Sequence, residues 1–115
     1  MPTQKALVLP EKSGQFVVVD NWPTPVAPGP GEVLIKVKAT ALNPVDWKMQ
    51  KDGYFIQEYP IVLGWDFSGD VEAVGEGVEG LVKGDRVMAL GFPPKGFSGF
   101  QQYTLMPADL VGNIP

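Results

Sequence analysis

The chain has no cysteine and no histidine among its 115 residues. That removes disulfides, thiol chemistry, thiolate and imidazole metal ligands, and every nucleophile arrangement built on Cys or His. Carboxylates are the only metal donors left, and no Asp/Glu cluster has calcium-loop spacing. Charge is sparse at 19% of residues, with a formal net charge of −4 and both signs interspersed. No basic stripe tracks a phosphate backbone, which argues against a nucleic-acid partner. Long apolar runs are missing too. The run Ala6–Leu9 stops at Pro10, too short for a signal peptide, and nothing reaches membrane-spanning length. These absences predict a cytoplasmic protein with neither nucleic acid nor membrane as partner. No apolar period of 3.6 residues is sustained anywhere, which excludes a helical bundle.

What the chain has instead is punctuation: 14 glycines and 12 prolines spread between short apolar runs. That spacing reads as a β protein with many turns, and the length fits one domain with a real core. Strands are expected at Lys5–Leu9, Gln15–Asp20, Glu32–Ala41, Asp70–Val74, Arg86–Leu90 and Phe100–Met106. A proline-rich connection covers Pro23–Pro30, and the tail Pro107–Pro115 reads as irregular. In the third strand Val33, Ile35, Val37 and Ala39 alternate with Glu32, Lys36 and Lys38, with Leu34 the exception; one face of its sheet is buried. Asn43-Pro44 is a good helix start, because Asn caps and Pro tolerates the first helical position. A short helix follows, ending near Gly53, with Asp46 suited to the positive end of its dipole. The fold class is mostly β, a partly open barrel with one or two short helical turns.

Gly75-Glu76-Gly77-Val78-Glu79-Gly80 spells the dinucleotide fingerprint GxGxxG. The fingerprint works only where a helix N-terminus opens at the glycines and aims free N–H groups at a pyrophosphate. Here Lys83-Gly84-Asp85 makes another turn almost at once, and two glutamates would repel phosphate. The segment is expected to be a structural turn.

Five segments occur in order: Pro28-Gly29-Pro30-Gly31-Glu32-Val33-Leu34-Ile35-Lys36-Val37, Asn43-Pro44-Val45-Asp46-Trp47-Lys48, Gly64-Trp65-Asp66-Phe67-Ser68-Gly69, Val74-Gly75-Glu76-Gly77-Val78 and Gly84-Asp85-Arg86-Val87. Together they resemble the N-terminal GroES-like domain of medium-chain dehydrogenases/reductases. Within that family they are most similar to the zinc-free quinone oxidoreductases and trans-acting enoyl reductases, where an Asn-Pro-x-Asp-x-Lys segment recurs.

The resemblance implies that residues 1–115 form one GroES-like domain. Asn43 stands where zinc-dependent members have a metal-binding Cys, and Trp65 where they have a His; neither side chain replaces those ligands. Asp46 and Asp66 stand where those enzymes keep carboxylates behind the metal, and Val45 stands at their proton-relay hydroxyl. The four-cysteine zinc lobe would fall at Gly91–Gly99 and is missing. No metal is therefore expected. The resemblance further implies NADPH as the full-length cofactor and a small-molecule substrate, a quinone or an α,β-unsaturated carbonyl. Asn43 and Lys48 become the cofactor-binding candidates, Lys48 the catalytic candidate, and Trp65 and Tyr54 the substrate-pocket candidates. Each also has a structural reading: Lys48 as a solvated charge, Asn43 as a helix cap, Asp46 as a hydrogen-bond acceptor, Trp65 and Trp47 as packing. Tyr54, Phe55 and Tyr59 read either as pocket wall or as core.

In the family the chain continues into a Rossmann domain after a segment like Val111-Gly112-Asn113-Ile114-Pro115. No such domain is present in this sequence. The chain alone is therefore expected to be inactive, to bind no cofactor tightly, and to self-associate or pair with a chain supplying the cofactor domain. The alternative is a stand-alone GroES-like interaction module or a truncated, non-catalytic binding protein.

Overall fold

A computed structural model describes residues 2–115. The elements are β1 (Thr3–Leu9), β2 (Val17–Pro23), β3 (Glu32–Thr40), α1 (Pro44–Asp52), β4 (Ile61–Val62), β5 (Asp66–Val74), β6 (Arg86–Leu90), β7 (Tyr103–Pro107) and β8 (Val111–Asn113). Two 3₁₀ turns, Pro93–Lys95 and Ala108–Leu110, complete the chain. The strands form a three-stranded sheet, β2-β1-β4, and a five-stranded sheet, β7-β3-β5-β6-β8. Every pair is antiparallel. The sheets are stitched where β1 meets the approach to β7, through the Ala6–Gln101 bridge and the Leu7 N–H donating to Phe100 O at 2.8 Å. They curl together without closing, which is the partly open GroES-like barrel.

Two apolar clusters fill it. Val33, Ile35, Val71, Val87 and Met106 centre the larger sheet's core. Leu9, Met49, Leu63 and Phe100 centre a second one, between α1 and the smaller sheet. Buried Gln4 crosses between sheets: its Nε2 donates to Pro23 O, Gln101 Oε1 and Tyr103 O, and its Oε1 accepts the Tyr103 N–H at 2.6 Å. A glutamine in an N-terminal strand carries no sequence signal for this role.

Three local expectations need correction. Ala39 is exposed rather than on the buried face. A β-bulge between Val37 and Ala39 shifts the pairing with β5, and a one-residue slip turns a side chain to the other face. β5 begins at Asp66, four residues before the expected Asp70. Gly69 allows this, because a Cβ there would collide with the Lys36 carbonyl of β3. The tail is ordered as well: β8 pairs with β6, Val87 facing Asn113 and Ala89 facing Val111.

The Gly75–Gly80 segment is a turn. Gly75 N–H donates to Glu32 O at 2.8 Å, Gly31 N–H donates to Glu76 O at 2.9 Å, and the next regular element is β6. No helix opens at these glycines.

Candidate active site

The first turn of α1 meets the start of β5. Asn43 is extended (φ −110°, ψ 154°) and precedes Pro44 at the helix start. Its N–H donates to Asp46 Oδ2 at 2.9 Å, and the Asp46 N–H donates back to Asn43 O at 2.9 Å. This reciprocal pair fixes the helix entry. The Asn43 side chain is held by a second carboxylate, Nδ2 donating to Asp66 Oδ2 at 2.9 Å. The amide therefore has one N–H and its carbonyl oxygen left for other partners.

Asp46 is 5% exposed, and its Oδ1 has no hydrogen-bond partner. Burial raises its carboxyl above the ordinary value, the Asn43 and Gly64 amides pull it back, and the nearby Asp66 charge adds to the rise.

Trp65 sits between the two halves of the site. It is half-buried, and its indole N–H donates to Met49 Sδ at 3.0 Å on α1. Its ring packs edge-on against Phe92, with centroids 5.5 Å apart at 84°. Trp65, just before β5, packs against the second core cluster, while Asp66 at the strand's start meets Asn43.

The other candidates are at the surface. Lys48 is exposed, with Nζ 5.8 Å from the Trp47 ring centroid. It has no carboxylate partner; the ion pair found among the described residues is Lys38–Asp70. Tyr54 is half exposed in the loop after α1. Next to it Phe55 has a left-handed backbone (φ 65°) and a ring 66% exposed. A cavity of about 660 Å³ is lined by Trp22, Phe55, Ile61, Phe92, Pro93 and Gln101 among others; neither Tyr54 nor Trp65 lines it. The structure thus brings Asn43, Asp46 and Asp66 together with Trp65 and leaves Lys48 and Tyr54 solvent-facing. Met49 and Phe92, which fix the Trp65 ring, are absent from the sequence reading. A methionine on a helix and a phenylalanine in a Gly/Pro-rich loop look like ordinary packing.

Among the described residues no three His, Cys, Asp or Glu side chains are placed to hold a metal. None of the described helices is long and apolar enough to cross a membrane.

This geometry has clear relatives. The chain belongs to the alcohol dehydrogenase GroES-like domain family, whose model matches residues 29–115. The domain is that of the medium-chain dehydrogenases/reductases. The chain is 38% identical over 121 residues to dehydrogenase orsE of Emericella nidulans, a match covering 100% of this chain and 34% of the relative. To trans-enoyl reductase grgB of a Penicillium species it is 34% identical over 119 residues, covering 100% of this chain and 33% of that protein. The solved quinone oxidoreductase of Coxiella burnetii superposes with a TM-score of 0.83 at 28% identity, over 97% of this chain and 37% of that one. The chain thus spans about a third of the length of the curated relatives it matches.

Proposed function

We propose that this chain forms the substrate- and nicotinamide-facing part of a zinc-independent, NAD(P)H-dependent oxidoreductase acting on quinones or α,β-unsaturated carbonyls. The observation that carries the reading is the Asn43–Asp66 hydrogen bond beside Trp65. By the family resemblance, this clamped neutral amide and the indole stand where zinc-dependent members have a Cys and a His. Relatives named trans-enoyl reductase and quinone oxidoreductase support the same branch.

The donor set does not suit zinc. Asn43 offers a weak neutral oxygen, and the indole N–H of Trp65 is a donor already committed to Met49. It does suit the nicotinamide end of a dinucleotide. Asn43 keeps a free N–H and a free carbonyl oxygen for an amide or a ribose hydroxyl, and the exposed Lys48 amine has three donors and no carboxylate partner. When bound, NAD(P)H supplies hydride to the conjugated system. The role of this chain is then to supply hydrogen bonds where negative charge grows on the carbonyl oxygen, which Lys48 Nζ does as a flexible cation. The half-buried Trp65 ring and the exposed Tyr54 ring are the substrate-facing candidates. No helix opens at Gly75–Gly80, so that segment offers the pyrophosphate no helix N-terminus. On this reading residues 1–115 by themselves bind the cofactor weakly and do not turn over, and the family's cofactor domain supplies the pyrophosphate site.

Amide NMR of the chain titrated with NADPH and then with zinc chloride tests this. NADPH at millimolar concentration is expected to shift Asn43, Lys48 and the Trp65 indole, and zinc to shift none of them. Shifts confined to Gly75–Gly80, or a rise in melting temperature on adding zinc, would overturn the reading.

A further inference from the structure

The helix that carries Asn43 at its start and Lys48 in its middle is short. α1 has nine residues, about 13 Å of rise, and a helix of that length does not hold itself in water. Packing gives it little orientation: Met49 is buried, and Val45 is partly buried against the same cluster. The polar contacts at its two ends therefore decide its tilt. At the first turn the Asn43 side chain donates to Asp66.

The other end is held by the turn between β1 and β2. A helix cannot satisfy its last carbonyls from within. Gly53, in a left-handed conformation, donates its N–H to Met49 O at 2.8 Å. The next two carbonyls both go to Ser13: its N–H donates to Gln50 O at 2.9 Å, and its Oγ donates to Lys51 O at 2.6 Å. Gln50 answers with Nε2 donating to Gly14 O at 2.8 Å. The Lys12 stem lies against Gly53, with Cδ and Cε 3.4 Å from where a Cβ would stand. Together with Lys51 in the last turn, it brings positive charge to the negative end of the helix.

Ser13 is in a left-handed backbone, φ 61°, which serine seldom takes. The turn itself does not ask for a serine. It is closed by the Gly14 N–H donating to Glu11 O at 3.0 Å, and glycine or asparagine suits a positive φ better. The two bonds to α1 account for the residue. With Met49 as pivot, any shift at Gln50–Lys51 swings the first turn and pulls on the Asn43–Asp66 bond.

We propose that Ser13 is a positioning residue for the candidate active site: from the β1–β2 turn it fixes the tilt of α1, and so where Asn43 and Lys48 meet the nicotinamide end of the cofactor. The proposal rests on the reading of the site above and names what keeps that site in place. Ser13 acts through the helix.

The test compares three variants with the parent 115-residue chain. Ser13→Asn keeps a side-chain N–H donor and tolerates the left-handed backbone. Ser13→Asp has the same size and backbone preference, but it donates nothing and adds negative charge at the negative helix end. Ser13→Gly relieves the backbone and loses the hydroxyl alone, so it folds even where the aspartate variant does not. The readouts are residual dipolar couplings of the α1 amides, the NMR signal of the Asn43 side-chain amide, and titration with NADPH. Ser13→Asn should match the parent in couplings and Asn43 signal, with NADPH half-saturation within about twofold. Ser13→Asp and Ser13→Gly should change the couplings of residues 44–52 and move the Asn43 signal, while the couplings of β3 and β5 stay as in the parent. Ser13→Asp should also weaken NADPH about fivefold or more. Unmoved α1 couplings in Ser13→Asp and Ser13→Gly, or equal losses in Ser13→Asn and Ser13→Asp, overturn the positioning role and leave the site reading standing. Moved couplings with Asn43 and Lys48 silent to NADPH in the parent overturn the site reading, and the positioning role falls with it.

Discussion

Replacing Gly75 with alanine separates the two meanings of the Gly75–Gly80 segment. A Cβ at Gly75 would collide with the carbonyl oxygen of Gly29 and crowd that of Glu32. Both obstacles are backbone, so no flexible side chain can yield, and the end of β5 must move away from β3. That movement strains the Gly75 N–H bond to Glu32 O and the Gly31 N–H bond to Glu76 O. Overpacking of this kind costs about 1–3 kcal/mol, and each weakened backbone bond adds about 0.5–1.5 kcal/mol. The total is roughly 2–6 kcal/mol. Gly77 is a different case: its φ is 82°, but an added Cβ meets open space. Alanine there suffers only the left-handed backbone, about 1 kcal/mol. At this chain length 1 kcal/mol moves the melting temperature by about 4 °C. Gly75→Ala should therefore melt about 8–24 °C below the parent chain and Gly77→Ala about 4 °C below it, by far-UV circular dichroism. The reasoning fails if Gly75→Ala is as stable as Gly77→Ala.

Asp46 makes stability fall as pH rises. Burial raises its folded-state carboxyl above the ordinary 3.8, so the neutral form favours folding; that contribution is complete below the ordinary value and is lost as pH climbs through the folded one. Urea melts between pH 4 and 7 should show the parent chain losing stability relative to Asp46→Asn with rising pH, and a parallel pair of curves would refute the assignment. Met49 is fully buried and accepts the Trp65 indole N–H. Met49→Ala should cost about 2–5 kcal/mol and shift Trp65 fluorescence. An unchanged spectrum would show that the sulfur does not hold the ring.

Much of the site was legible because its chemistry is local. Asn43-Pro44 announces a helix start by capping rules, and Asp46 in the first turn follows from the dipole. The refusal of Gly75–Gly80 as a phosphate site needed only the turn that follows it. Phe55 was visible as a possible pocket wall but not as a strained residue, since nothing in its neighbours dictates positive φ. Trp65 was found by position, yet its partners Met49 and Phe92 lie 16 and 27 residues away along the chain. Ala39 was misplaced because a bulge depends on how the neighbouring strand passes, which alternation within one strand cannot report.

The amino-acid sequence by itself determined the donor chemistry: with no Cys and no His, any site must be built without thiolate or imidazole. It also determined the β character, through period-two alternation and frequent turns. Tertiary structure alone decided which of those groups meet. Asn43 and Asp66, 23 residues apart, share a hydrogen bond only because α1 packs against the start of β5. The cavity of about 660 Å³ is lined from distant parts of the chain, by Trp22 on β2, Ile61 on β4 and the loop at Pro93–Lys95. Local preferences act within a few residues, whereas clamps and cavities come from surfaces that meet only once the sheets have curled together.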